Sequence, residues 1–66
     1  MTPNQFRAAL RRLALSQGAA ARLVGADERT GRRWALGERS VPECVAILLR
    51  LLVAEKITLQ DIEAVR

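Results

Sequence analysis

Sixty-six residues with eleven basic and seven acidic side chains, one cysteine and no histidine carry a formal net charge of +4 and make one small domain, residues 1–66. Cys44 alone closes no intramolecular disulfide, and without histidine the common zinc sets are lacking, so no staple supports the core. A chain that buries only about 60% of its unfolded surface is then compactly helical, oligomeric or both.

In chain order, Thr2-Pro3-Asn4-Gln5 predicts a helix start, with an N-cap, a proline at the first helical position and a glutamine three residues after the cap. Phe6, Ala9, Leu10 and Leu13 make its apolar stripe, and Arg7, Arg11 and Arg12 lie off it as a solvated face. Ser16 caps a short alanine-rich helix, Gln17 to Leu23, which ends at Val24-Gly25 with the glycine as a left-handed stop. Asp27 caps a third helix through about Leu36, closed by Gly37. Val41-Pro42-Glu43 opens the longest helix, to about Ala54; Val45, Leu48, Leu49 and Leu52 form one apolar face of it, and Cys44, Ile47 and Leu51 a second. Thr58-Leu59-Gln60-Asp61 resembles a capping box and starts a terminal helix carrying Leu59, Ile62 and Val65. No alternation of β-branched residues reaches strand length, so the expected fold is all-α with five helices.

Half of the residues are apolar, which excludes a disordered tail. The apolar run Val45 to Leu49 falls far short of the ~20 residues that span a bilayer. Met1 to Leu10 has no basic start followed by an apolar stretch, so a cytoplasmic chain without membrane contact is expected. Charge is unevenly placed. From Arg7 to Arg39 eight arginines stand against Asp27, Glu28 and Glu38, giving +5, while from Ser40 to Arg66 three bases stand against four carboxylates, giving −1. Ten of the eleven bases are arginine, whose planar fork binds phosphate and guanine edges in bidentate fashion. The bias fits nucleic-acid binding, and equally a GC-rich coding sequence, which the alanine content also fits.

The middle of the chain combines two short helices with a tight glycine turn, the geometry of a helix-turn-helix unit over about residues 16–36. Ala20 and Ala21 give the first helix a small face for a close crossing, Gly25 makes the turn, and Trp34 anchors the second helix in the core in preference to stacking on bases. The pattern Leu15-Ser16-Gln17, Ala20-Ala21, Leu23-Val24-Gly25 and Arg32-Arg33-Trp34, followed by Gly37-Glu38-Arg39 and Val41-Pro42, resembles the Cro/phage-repressor (XRE-like) family of helix-turn-helix regulators over roughly residues 3–54. The resemblance implies a lambda-repressor-like DNA-binding domain, a bundle of four or five helices that binds operator DNA as a homodimer. Two positions depart from the family: Gly31 stands where Val or Ile usually packs the recognition helix, and Ala26 replaces a commoner valine. A mid-helix glycine costs about 1 kcal/mol against alanine, so a less rigid unit is expected. Gly31 reads foremost as drift compensated by its neighbours, and otherwise as a closer seat for the helix or ordering on DNA.

Docked as the family docks, the second helix of the unit enters the major groove with its N-terminal residues at base edges. Arg29 and Arg33, one turn apart, then take bidentate guanine contacts; Glu28 either accepts from a cytosine amino group or fixes an arginine; Thr30 meets either a thymine methyl or a phosphate. Asp27 reads foremost as an N-cap satisfied internally, and otherwise as a base contact. Gln17 matches the family position that grips a phosphate, with Ser16 beside it, and Arg32 and Arg39 are placed to reach phosphate as well. Arg22 pairs with an acidic neighbour or is solvated.

No enzyme is expected, because no His or Tyr supplies a base, no glycine-rich loop cradles phosphate, and Cys44 reads as an interface or core side chain. Nor is any cofactor, metal or small-molecule ligand. The resemblance implies a repressor of a pseudo-palindromic operator on double-stranded DNA, with recognition helices about 34 Å apart, similar to autorepressors of phage, toxin-antitoxin or anti-CRISPR operons. Dimerisation is assigned to the helices over about 42–65 through Cys44, Ile47, Leu51, Leu59, Ile62 and Val65, which exceed what one small core buries. Two alternatives stand. An antitoxin that binds its toxin as well as its promoter is weakened by the lack of a segment outside the five helices. A helix-turn-helix used only for protein contact is weakened by Arg29, Arg32 and Arg33 on one helix.

Overall fold

Side-chain oxygens set four of the five helix starts in the computed structural model, which describes residues 1–66 as α1 (Pro3–Leu13), α2 (Gln17–Leu23), α3 (Glu28–Leu36), α4 (Glu43–Val53) and α5 (Leu59–Val65), with no strand. Thr2 Oγ1 accepts from the Gln5 amide at 3.1 Å while the Gln5 side chain accepts from the Thr2 amide at 2.9 Å, and Thr58 and Asp61 repeat that reciprocal pair at α5. Ser16 and Asp27 accept from the amides of Ala19 and Thr30. Only α4 lacks a side-chain cap; it begins after Pro42, whose ring presets the backbone. Its eleven residues match α1 in length, so α4 is not the single longest helix.

The first four helices all end alike. The amides of Leu15, Ala26, Glu38 and Lys56 reach back five residues to the carbonyls of Leu10, Ala21, Arg33 and Leu51, each across a left-handed residue. Gly25 (φ 81°) and Gly37 (φ 79°) adopt that conformation without a Cβ penalty, whereas Ala14 (φ 55°) and Glu55 (φ 60°) adopt it against one.

These tight ends let the helices fold back onto one core cluster of thirteen buried residues contributed by every helix and by Val41. Phe6 of α1 meets Trp34 of α3 edge to face, centroids 5.8 Å apart and planes at 82°, so Trp34 is a core residue as expected. The radius of gyration, 10.8 Å, matches the ~11 Å of a folded chain of this length. No helix is long and apolar enough to cross a membrane.

Three solvated-face expectations are sorted by the packing. Arg11 and Arg12 are exposed, but Arg7 is half-buried and donates to the Ala35 carbonyl and to Asn4 Oδ1, tying α1 to the last turn of α3. On α4, Val45, Leu49 and Leu52 are buried with Leu48 half-buried, and Cys44, Ile47 and Leu51 are exposed, so both expected faces are present. On α5, Ile62 corrects the dimer assignment: it is 8% exposed and belongs to the protomer's own core, which leaves Leu59 and Val65 as the exposed apolar residues of that helix.

Candidate nucleic-acid interface

α3 separates anchoring from display by its periodicity. Gly31, Trp34 and Ala35, spaced i, i+3, i+4, are buried, and Glu28, Arg29, Arg32, Arg33 and Leu36 are exposed on the other side. Asp27 holds the N-terminus: its Oδ1 accepts from the Thr30 amide at 2.9 Å and the Thr30 hydroxyl at 3.0 Å. These bonds, the amide first and the hydroxyl second, keep the Asp27 carboxyl below its usual value, with Arg29 and Arg33 adding a weaker pull. Thr30 is half-buried with its hydroxyl proton committed to the cap, which leaves its methyl and the lone pairs of Oγ1 to offer.

Gly31 sets the α2–α3 approach. A Cβ there would stand 2.2 Å from the Gln17 carbonyl oxygen, a distance no side chain tolerates, and 3.0 Å from the Ala21 Cβ, a tight contact. The reading of Gly31 as compensated drift is thus overturned: the bare backbone is the seat that lets α3 lie against α2, and Ala20 and Ala21, both buried, complete it.

A cleft of about 580 Å³ opens where α1, α2 and α3 meet, and Arg7, Arg11, Ser16, Gln17, Glu28 and Arg32 are among its lining residues. Three expected phosphate ligands, Ser16, Gln17 and Arg32, are thereby brought together; Arg39, exposed in the segment after α3, is not part of the cleft. Ser16 Oγ is engaged as the α2 cap, which leaves its proton to donate. Glu28 takes the second of its two expected roles, fixing an arginine: it accepts from Arg22 of α2 in an exposed ion pair. The other ion pairs are Arg50–Glu43 and Arg66–Glu63, so Arg29, Arg32, Arg33 and Arg39 carry no carboxylate partner.

Sequence reasoning missed the cleft positions of Arg7 and Arg11, which depend on how α1 crosses α2, and missed Leu36, 61% exposed at the end of the displayed face. Counting would have found Leu36, since it lies three and four residues beyond Arg33 and Arg32. The remaining apolar exposure is Ile47 and Leu51 with Cys44 on α4, and Leu59 and Val65 on α5. Comparison with family models, curated proteins and solved structures gives no match to the chain.

Proposed function

We propose that the chain is a helix-turn-helix protein that binds duplex DNA as a homodimeric repressor at a pseudo-palindromic site, as the resemblance to the Cro/phage-repressor family implies. One observation carries the reading: Arg29, Arg32 and Arg33 stand exposed and unpaired on a helix whose opposite face is locked into the core by Gly31, Trp34 and Ala35. A protein partner would have to desolvate three guanidinium groups at once, whereas a polyanion supplies an acceptor for each. Arg29 and Arg33 address base edges; Gln17, Ser16 and Arg32 address phosphate from the cleft, and Arg39 addresses it from beyond α3.

The homodimer contact in this reading is formed by Cys44, Ile47, Leu51, Leu59 and Val65, an apolar set that a single protomer leaves in water. A protomer 30 Å in its longest dimension is of the right size for two copies to address successive major grooves about 34 Å apart. The same apolar set also suits a toxin, which keeps the antitoxin reading as the second one. Selection of bound duplexes from a random pool tests the proposal. An enriched palindrome is expected, with Arg33→Ala relaxing preference at one position and Arg39→Ala weakening binding to every sequence alike. No enriched palindrome would overturn the repressor.

A further inference from the structure

What α3 can offer to a base edge is narrower than its sequence implies, and the consequence for the DNA site rests on the proposal that α3 enters a major groove. The helix contains no Asn or Gln, the amides that pair in bidentate fashion with adenine. Both neighbouring carboxylates are engaged inside the protein. Asp27 accepts two bonds from Thr30. Glu28 leans back along α2: its Oε1 accepts from Arg22 Nη1, and its Cγ and Oε1 lie 3.1 Å from the point where a Cβ on residue 18 would stand. Gly18 and Arg22 are four residues apart and share one face of α2, so the absent side chain makes the seat and the guanidinium makes the clasp.

We infer that bidentate readout of each half-site is confined to guanines, through Arg29 and Arg33, and that Gly18 and Arg22 are positioning residues that hold Glu28 against α2 and away from that face. Along a helix, residues four apart rise by about 6 Å, against ~3.4 Å per base-pair step, so the two guanines stand about two steps apart. Let go, Glu28 faces Arg32 at the favourable i, i+4 spacing and places a carboxylate where a phosphate should bind.

The test selects duplexes with the full-length wild type and then measures binding of Arg22→Ala, Gly18→Ala and the double variant Arg22→Ala/Glu28→Ala to the selected duplex. Two guanines per half-site, about two steps apart, are expected for the wild type. Arg22→Ala weakens binding about three- to fivefold, Gly18→Ala does so in the same direction, and the double variant returns to about wild-type affinity. Because the ion pair is exposed, and because a Cβ at Gly18 would crowd only the flexible end of the Glu28 side chain, all three variants stay folded by circular dichroism. A double variant as weak as Arg22→Ala would overturn the positioning role, since Arg22 would then touch DNA itself. An enriched palindrome without those guanines overturns the guanine readout and leaves DNA binding standing, whereas failure to enrich any duplex removes the DNA-binding reading on which both rest.

Discussion

At Gly31 a single missing methyl decides how two helices meet. The nearest obstacle to a Cβ is backbone, the Gln17 carbonyl at 2.2 Å, which cannot swing aside as a side chain would. Gly31→Ala is therefore expected to destabilise by about 2–3 kcal/mol in chemical denaturation, although alanine is the better helix former, and Gly31→Val by more. A gain from alanine would contradict the close-seat account. Ala14 behaves in the opposite sense: holding a left-handed angle without being glycine, it should yield about 0.5–1 kcal/mol on Ala14→Gly, read as a higher Tm. Asp27 links residue chemistry to pH. Its carboxyl is depressed in the folded state, so its stabilisation is present above the unfolded-state value and is lost as pH falls through the folded one. Unfolding followed between about pH 5 and pH 2 should lose that contribution in the wild type and show a shallower slope in Asp27→Asn. The Asp27 cap and the core position of Trp34 were legible because their signals are local or strongly apolar; Gly31 was not, because its obstacle is fourteen positions away in the chain.

Among the elements, helix starts were readable nearly to the residue, since each capping oxygen sits within three residues of the amide it serves. Helix ends were readable only where glycine occupies the left-handed position, and the Ala14 and Glu55 ends carry no such mark. The orientation of α5 was the larger gap. Spacing puts Leu59, Ile62 and Val65 at i, i+3, i+6, but which side turns inward depends on the path through left-handed Glu55 to the Thr58 cap. Ile62 alone is buried, so Ile62→Ala should cost about 2–4 kcal/mol by denaturation, while Val65→Ser, at a site 84% exposed, should stay within about 0.5 kcal/mol. Equal effects would mean that α5 docks otherwise.

For the whole molecule, the +4 charge divides into a cationic part that includes α3 and an acidic C-terminal part that leaves some of its apolar side chains in water. Composition showed that division, and the burial pattern shows that the exposed large apolar residues are Ile47 and Leu51 of α4 and Leu59 and Val65 of α5, joined by Leu36. If a second copy covers them, light scattering gives a dimer at micromolar concentration, and Ile47→Glu with Leu51→Glu gives a folded monomer. With Arg32 and Arg39 from each of two subunits on phosphate, log affinity should fall with log salt at a slope of about −4. The most direct measurement is amide NMR of the labelled chain titrated with duplex DNA. The largest shifts are expected at Gln17, Arg29, Arg32, Arg33 and Arg39, and the cationic face of α3 would be contradicted as the DNA interface if those amides stayed silent while α4 and α5 responded.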